Sequence, residues 1–284
     1  AIGAFAADSL TAGSNNVAIG FEAGGALTTS SNGTFIGYKA GKSYSTENQF
    51  GTSTICIGAK AGENATGIKS VYIGTLTGQS SSSGQNNVYM GNEAAKTRTG
   101  SFNTLIGSYG VPQAGASDGN TSVGYLGFFS LTSGADNTAL GCEAGKTLTT
   151  GSNCTLIGHD STASASDASN EITLGDSNIA TLRCQVQTIS SLSDERDKTQ
   201  IEELPAGLDF VSQLKPVKFK WKSREGITKD GTTESGFIAQ QLQTAQKEND
   251  ADYLGLVYDN NPDRLEASYG KLVPVLVKAI QELK

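Results

Sequence analysis

The chain has 284 residues, a formal net charge of −7 and a single histidine. A net negative chain argues against nucleic acid, because phosphate binding needs a basic face. No apolar run approaches the ~20 residues of a membrane span, so no membrane insertion is expected. Four cysteines (Cys56, Cys142, Cys154, Cys184) lack metal-ligand spacing. With one histidine beside them, no metal, no cofactor and no Ser-His-Asp triad is expected.

In chain order, the first feature is a glycine preceded by an apolar residue. It returns at Gly3, Gly20, Gly37, Gly58, Gly74, Gly91, Gly107, Gly124, Gly141, Gly158 and Gly175, and the chain opens in mid-repeat, as a piece of a longer protein would. Seven of the ten intervals are 17 residues, two are 16, and Gly37 to Gly58 is 21. Such a period marks a repeat architecture. The residue three before each glycine is β-branched wherever the chain reaches that far back (Val17, Thr34, Ile55, Val71, Val88, Thr104, Thr121, Thr138, Thr155, Ile172). Positions −3 and −1 share one face of a strand, and the sequence predicts that this face is inward. The varying residue between them (Ala18, Phe35, Cys56, Tyr72, Tyr89, Leu105) is then outward. Asn recurs four before the glycine (Asn16, Asn87, Asn103, Asn120, Asn137), where amides can stack into a ladder, and Ala three after it (Ala23, Ala40, Ala61, Ala94, Ala144).

Two short strands and two turns per repeat describe one coil of a β-solenoid or β-roll. A coil this thin buries little against a backbone ordering cost of roughly 1–2 kcal/mol per residue, so pooling three chains is expected. Aromatics at outward or post-glycine positions (Phe21, Tyr38, Tyr72, Tyr89, Tyr109, Tyr125, Phe128, Phe129) read as surface or interchain packing, with sugar stacking the alternative. The extra residues before Gly58, within 44–50, are a candidate receptor loop. His159 reads as a variable surface position.

A connector, residues 179–192, follows the shaft of residues 1–178, and the composition then changes. Of 35 glycines, six lie after residue 192, while 13 of 21 basic and 16 of 28 acidic residues do. LPAGLDFVSQLKP predicts a helix ending at Lys215-Pro216. VKFKWK alternates as a strand, its lysines (with Lys215 and Arg224) on the solvent side. SGFIAQQLQTAQKEN predicts a strand entering a helix, and YLGLVYDN another strand. Glu202 and Glu203 read as a helix surface without a cleft. The last stretch spaces Tyr269, Leu272, Leu276, Ala279 and Leu283 by 3, 4, 3 and 4, a short coiled-coil seam. The fold class is therefore mainly β: a trimeric β-solenoid shaft, then a small α+β domain ending in a coiled-coil helix.

Two resemblances attach to these motifs. Asn-Asn-Val-Ala-Ile-Gly (residues 15–20) resembles the heads of trimeric autotransporter adhesins, and the fuller repeat over residues 1–178 resembles the shafts of phage tail fibres. Ser193-Asp194-Glu195-Arg196-Asp197-Lys198, Ile201, LKPVKFKWK, GFIAQQLQ and YGKLVPVLVKAIQEL, in that order across residues 193–284, resemble the auto-processing intramolecular chaperone that ends phage tailspikes, endosialidases and long tail fibres. That resemblance implies a virion protein assembled in the host cytoplasm. It implies a domain that trimerises, templates the upstream β-structure, then cuts itself off. Ser193 would be the nucleophile, Lys198 its base and Leu192–Ser193 the scissile bond, with Asp194 and Arg196 paired in support. Chemically, a serine lacking a histidine needs another base, and a desolvated lysine is one. The hexamer taken alone also reads as an inert charged helix start with Ser193 as its cap. Gln241 stands where the family pattern often has an acid.

The expected function is a homotrimeric tail-fibre segment that binds a host cell-surface glycan or protein receptor, with a single-turnover peptidase acting on itself. Alternatives are a glycan depolymerase, which needs paired carboxylates along a groove, and a cellular trimeric adhesin, which needs an outer-membrane barrel anchor.

Overall fold

The computed structural model describes residues 1–43, 53–81, 84–110, 115, 117–185, 189–222 and 231–284; the candidate receptor loop at 44–50 lies outside the described residues. Contacts divide the chain into two compact units, Ala1–Asp176 and Ser177–Lys284, which groups the connector with the second unit.

The first unit is a parallel β-solenoid. Its strands are β1 (Val17–Ile19), β2 (Thr34–Ile36), β3 (Ile55–Ile57), β4 (Val71–Ile73), β5 (Val88–Met90), β6 (Thr104–Ile106), β7 (Thr121–Val123), β8 (Thr138–Leu140), β9 (Thr155–Ile157) and β10 (Ile172–Leu174), hydrogen-bonded in that order in one ten-stranded sheet. Register follows the repeat, with Val17 opposite Thr34, Ala18 opposite Phe35 and Ile19 opposite Ile36. Each coil carries one strand among the described residues, not the two expected. After the glycine the backbone turns through left-handed residues such as Glu22 (φ 53°) and Lys39 (φ 55°), which interrupt extended chain. These turns still bond coil to coil, as in Gly24 N–H to Ala40 C=O at 2.9 Å. The anchor glycines stack on one another. Gly20 has φ +130°, and a Cβ there would lie 2.5 Å from the Gly37 carbonyl oxygen, so only glycine fits.

The two sheet faces are the reverse of the expectation. The central strand residue is the buried one: Phe35, Cys56, Tyr72 and Tyr89 are fully enclosed, and Ala18, Leu105, Ser122, Ala139 and Leu156 nearly so. Positions −3 and −1 face out, and Val17, Ile19, Ile106, Val123, Leu140 and Ile157 are 37–49% exposed. The physical reason is volume. The interior of a narrow coil takes one side chain per strand, and its size is balanced across the coil. Where the strand centre is Ser122, Phe128 fills the interior. Where it is Tyr72, Gly78 leaves the room, since a Cβ there would lie 2.4 Å from the ring. Tyr72, Tyr89 and Phe128 are therefore core residues, whereas Phe21, Tyr38, Tyr109, Tyr125 and Phe129 remain exposed. The side chain of His159 is also largely exposed.

The asparagines form a buried ladder. Asn87 Oδ1 accepts from Asn103 N (2.9 Å), Asn103 Oδ1 from Asn120 N (3.0 Å), Asn120 Oδ1 from Asn137 N (3.1 Å) and Asn137 Oδ1 from Cys154 N (2.9 Å). Each Nδ2 donates in turn to a carbonyl, from Asn87 to Gly100, Asn103 to Ser117, Asn120 to Gly134 and Asn137 to Gly151. Backbone groups that a turn would leave orphaned are thereby paired inside the coil. The alanines three after the glycine (Ala23, Ala40, Ala61, Ala94, Ala144) are fully buried as well.

The second unit has α1 (Leu208–Gln213), the antiparallel pair β11 (Val217–Lys220) and β12 (Thr233–Gly236), α2 (Ala239–Glu248), the short antiparallel pair β13 (Val257–Tyr258) and β14 (Glu266–Ala267), and α3 (Leu272–Glu282). Leu214 turns extended ahead of Lys215-Pro216 and ends α1. Lys218 and Lys220 are exposed, while Val217 and Phe219 are half-buried. The core gathers Ala206, Phe210, Ala245, Ala251, Leu254, Leu256, Leu272 and Val275. Glu282 Oε2 accepts from Leu208 N at 2.6 Å, so the end of α3 caps the start of α1. Glu202 and Glu203 lie in irregular chain rather than on a helix.

The seam on α3 also differs from the expected one. Leu272 and Ala279, with Val275, are buried against the unit itself, while Tyr269, Leu276 and Leu283 are exposed. Val273, Val277 and Ile280 are exposed too, so the free apolar stripe is Val273, Leu276, Val277, Ile280 and Leu283. Helices α1 and α3 pack together, and that contact takes the stripe holding Leu272, Val275 and Ala279.

Candidate functional site

Ser193 to Lys198 form one compact turn. Asp194 is extended (φ −68°, ψ 136°) and its Oδ1 accepts from Arg196 N at 2.9 Å, which starts a 3-10 turn at Glu195–Asp197. Lys198 N donates to Glu195 C=O at 3.0 Å and closes it. The Asp194 carboxylate also receives the Arg196 guanidinium, with Nε to Oδ1 at 3.0 Å and Nη2 to Oδ2 at 2.6 Å. This two-point ion pair holds Asp194 below the usual carboxylate range and Arg196 above its own, the side-chain hydrogen bond being the main cause of both.

The turn folds Lys198 back over Ser193. Lys198 Nζ lies 2.7 Å from Ser193 Oγ and 3.0 Å from Ser193 C=O. Hydroxyl, amine and the carbonyl of the Ser193–Asp194 peptide are thus within one hydrogen-bonded ring. The whole stretch from Ser191 to Gln200 is exposed. Leu192 within it and Ile189 just before it are 97% and 99% exposed, apolar side chains packed on no core among the described residues. Glu202 and Glu203 stand apart from this ring, and Glu203 pairs with Lys278 at 3.4 Å. Gln241 lies on α2, lining a cavity of about 290 Å³ with Leu214, Phe237, Ile238 and Ala245. Among the described residues, no group of three His, Cys, Asp or Glu side chains is placed to hold a metal ion. No helix among them is long and apolar enough to cross a membrane.

Two surfaces escaped the sequence reading: the −3/−1 face of the solenoid sheet, and the Val273, Val277 and Ile280 side of α3. A signal for the first was present. The −3 position is uniformly β-branched, whereas the central position ranges from Ala18 to Tyr72, as a position whose size is balanced across the coil does.

Residues 193–250 match the family model described as chaperone of endosialidase, peptidase S74. The match begins at Ser193 itself and spans α1, the β11–β12 pair and α2. No curated protein and no solved structure matches the chain. A region similar to the chaperone of endosialidase therefore follows a β-solenoid shaft in this chain.

Proposed function

We propose that the chain is the distal part of a homotrimeric phage tail fibre, a virion component that adheres to a host cell-surface glycan or protein. Its C-terminal domain drives trimerisation and folding, then releases itself by one cut at Leu192–Ser193. The observation that carries this reading is the 2.7 Å approach of Lys198 Nζ to Ser193 Oγ at the first residue of the family match.

The chemistry is an N→O acyl shift. Ser193 Oγ attacks the Leu192 carbonyl carbon and gives its proton to Lys198 Nζ. The Leu192–Ser193 C–N bond breaks as the leaving nitrogen takes a proton from Lys198, leaving an ester between Leu192 and the Ser193 side chain. Water then hydrolyses that ester to a Leu192 carboxylate and a free Ser193 hydroxyl and amine. Asp194 and Arg196 position the turn. A lysine serves as a base only when it is desolvated or has cationic neighbours, and this one is exposed in the single chain. Assembly supplies the cover, with Ile189 and Leu192 as the apolar residues that close over the dyad. Cutting is therefore tied to trimer formation, so template release follows folding.

Two apolar surfaces support the trimer. The outward row of Ile19, Ile106, Val123, Leu140 and Ile157 runs along the shaft, and Val273, Leu276, Val277, Ile280 and Leu283 line one side of α3. The shaft side chains are already more than half buried, so covering each is worth under half of the roughly 1.5–3 kcal/mol of complete burial, and the two rows act together against the loss of freedom on association.

Denaturing electrophoresis of the expressed chain tests the proposal. Two fragments are expected, with roughly two thirds and one third of the 29.3 kDa. Ser193→Ala and Lys198→Ala should each leave one full-length band. Cleavage persisting in both variants overturns the dyad.

A further inference from the structure

The cavity beside Gln241 is an apolar site that the single chain leaves unfilled by its own side chains. Leu214 at the end of α1 lines it, with Phe237, Ile238, Leu242 and Ala245 before and along α2. Leu242 and Ala245 are buried, while Ile238 keeps 37% exposure, so apolar surface there still meets water. A cavity of about 150 Å³ admits a benzene ring. At about 290 Å³ this one has room for two branched aliphatic side chains.

The same unit carries two such side chains with nothing to pack on. Leu192 and Ile189 are almost wholly exposed, and the chain stays exposed from Ser191 to Glu203. Both residues belong to the compact unit Ser177–Lys284 that holds the cavity. The chain folded alone nevertheless keeps them in solvent, which makes a second copy their natural receiver. Charge agrees. Lys215 lines the cavity, and Lys218, Lys220 and Lys222 follow it along the chain, all exposed. After Leu192 come the exposed carboxylates Glu195, Asp197 and Glu202, while Asp194 and Glu203 are taken by Arg196 and Lys278. With Leu192 in the cavity, those carboxylates meet the lysine row, and such complementarity fixes register.

We propose that the cavity between α1 and α2 of one chain is the recognition pocket for a neighbouring chain's Leu192, with Ile189 seated beside it. The pairing rests on self-cleavage at Leu192–Ser193 and adds what completes that site. Each chain supplies its own hydroxyl and amine, and its neighbour supplies the pocket. Holding Leu192 fixes the carbonyl that Ser193 Oγ attacks, and the pocket wall keeps water from Lys198. A chain without a neighbour leaves its leucine unheld and stays uncut.

Ile238→Asp tests the pocket. Ile238 is the N-cap of α2 and gives it no side-chain hydrogen bond, so aspartate there suits the helix while charging the cavity wall. Cleavage of the full chain, followed by denaturing electrophoresis after induction, should slow about tenfold or more in Ile238→Asp and in Leu192→Asp. Cross-linking reads the pairing between chains. The background is Ser193→Ala with the exposed cysteines removed as Cys142→Ser and Cys184→Ser. Ile189→Cys and Thr244→Cys, co-expressed on separate chains, should give on oxidation a band of two chains' mass that neither gives alone. Wild-type cutting in both aspartate variants overturns the proposal. So does a bridge formed only when both cysteines lie on one chain. Should Ile238→Asp fail to fold, the cross-link decides alone. Cutting that persists in Ser193→Ala would instead remove the dyad itself.

Discussion

Removing one rung of the asparagine ladder has a cost that can be worked from its bonds. In Asn120→Ala, the Asn137 N–H loses its acceptor at 3.1 Å and the Gly134 carbonyl loses its donor at 3.0 Å. Asn120 is fully buried, as are Asn103 and Asn137 on either side, so no solvent replaces either partner. Asn137 Nδ2 keeps the Gly151 carbonyl at 2.9 Å and the Asn120 backbone N–H keeps Asn103 Oδ1 at 3.0 Å, which limits the damage to two orphans. At about 1–3 kcal/mol per buried unsatisfied group, the substitution should destabilise the shaft by about 2–6 kcal/mol per chain. The control is Thr11→Ala. Its hydroxyl donates to the Thr28 carbonyl at 3.0 Å in exposed chain, and its loss should stay within about 0.5 kcal/mol. Urea unfolding of the Ser193→Ala chain measures both, and hydrogen exchange at the Asn137 amide reports the local rung. If the two substitutions cost the same, or if Asn137 exchange is unchanged in Asn120→Ala, the ladder is not what holds the turns.

Face assignment is tested in the same background. Leu140→Asp should reduce the proposed three-chain assembly toward one chain in sedimentation, because it charges the outward row, while Ile280→Asp should weaken association through α3 alone. Val275→Asp, at a buried position, should instead unfold the C-terminal unit; an Ile280→Asp chain that is unfolded rather than dissociated contradicts the assignment. The turn at the dyad has a definite pH response. Asp194 is held below the ordinary value by Arg196, so its contribution is present above about pH 3.9 and lost as pH falls through the lower folded value. Carboxyl titration by NMR should find Asp194 below about 3.9 in the wild type and returned to it in Arg196→Ala. A wild-type Asp194 titrating at or above that value refutes the two-point ion pair.

Much of this molecule is written locally. The period from Gly3 to Gly175, the strands ending one residue before each glycine, and the stacked asparagines all follow from spacing, since each coil repeats the same local geometry. The helix before Lys215-Pro216 and the alternation of Val217–Lys220 are equally local. The approach of Lys198 to Ser193 depends on a turn of six residues, and Asp194 supplies its cap from within that turn.

By itself the sequence determined that a repeated coil forms, where its strands lie, and that a differently composed region follows residue 192. Tertiary structure decided which side of each element is inside. Alternation groups Val17 with Ile19 on one face, but the same pattern serves with either face buried. The choice was made by the volume left in the coil for Ala18, Phe35 or Tyr72. On α3, the 3-4 spacing of Leu272, Leu276, Ala279 and Leu283 crosses two neighbouring stripes. Packing of α1 against α3 took Leu272, Val275 and Ala279 for the core and left Ile280 and Val277 in solvent. Periodicity is a property of one segment, whereas burial belongs to the pair of surfaces that meet, and only the folded chain brings those surfaces together.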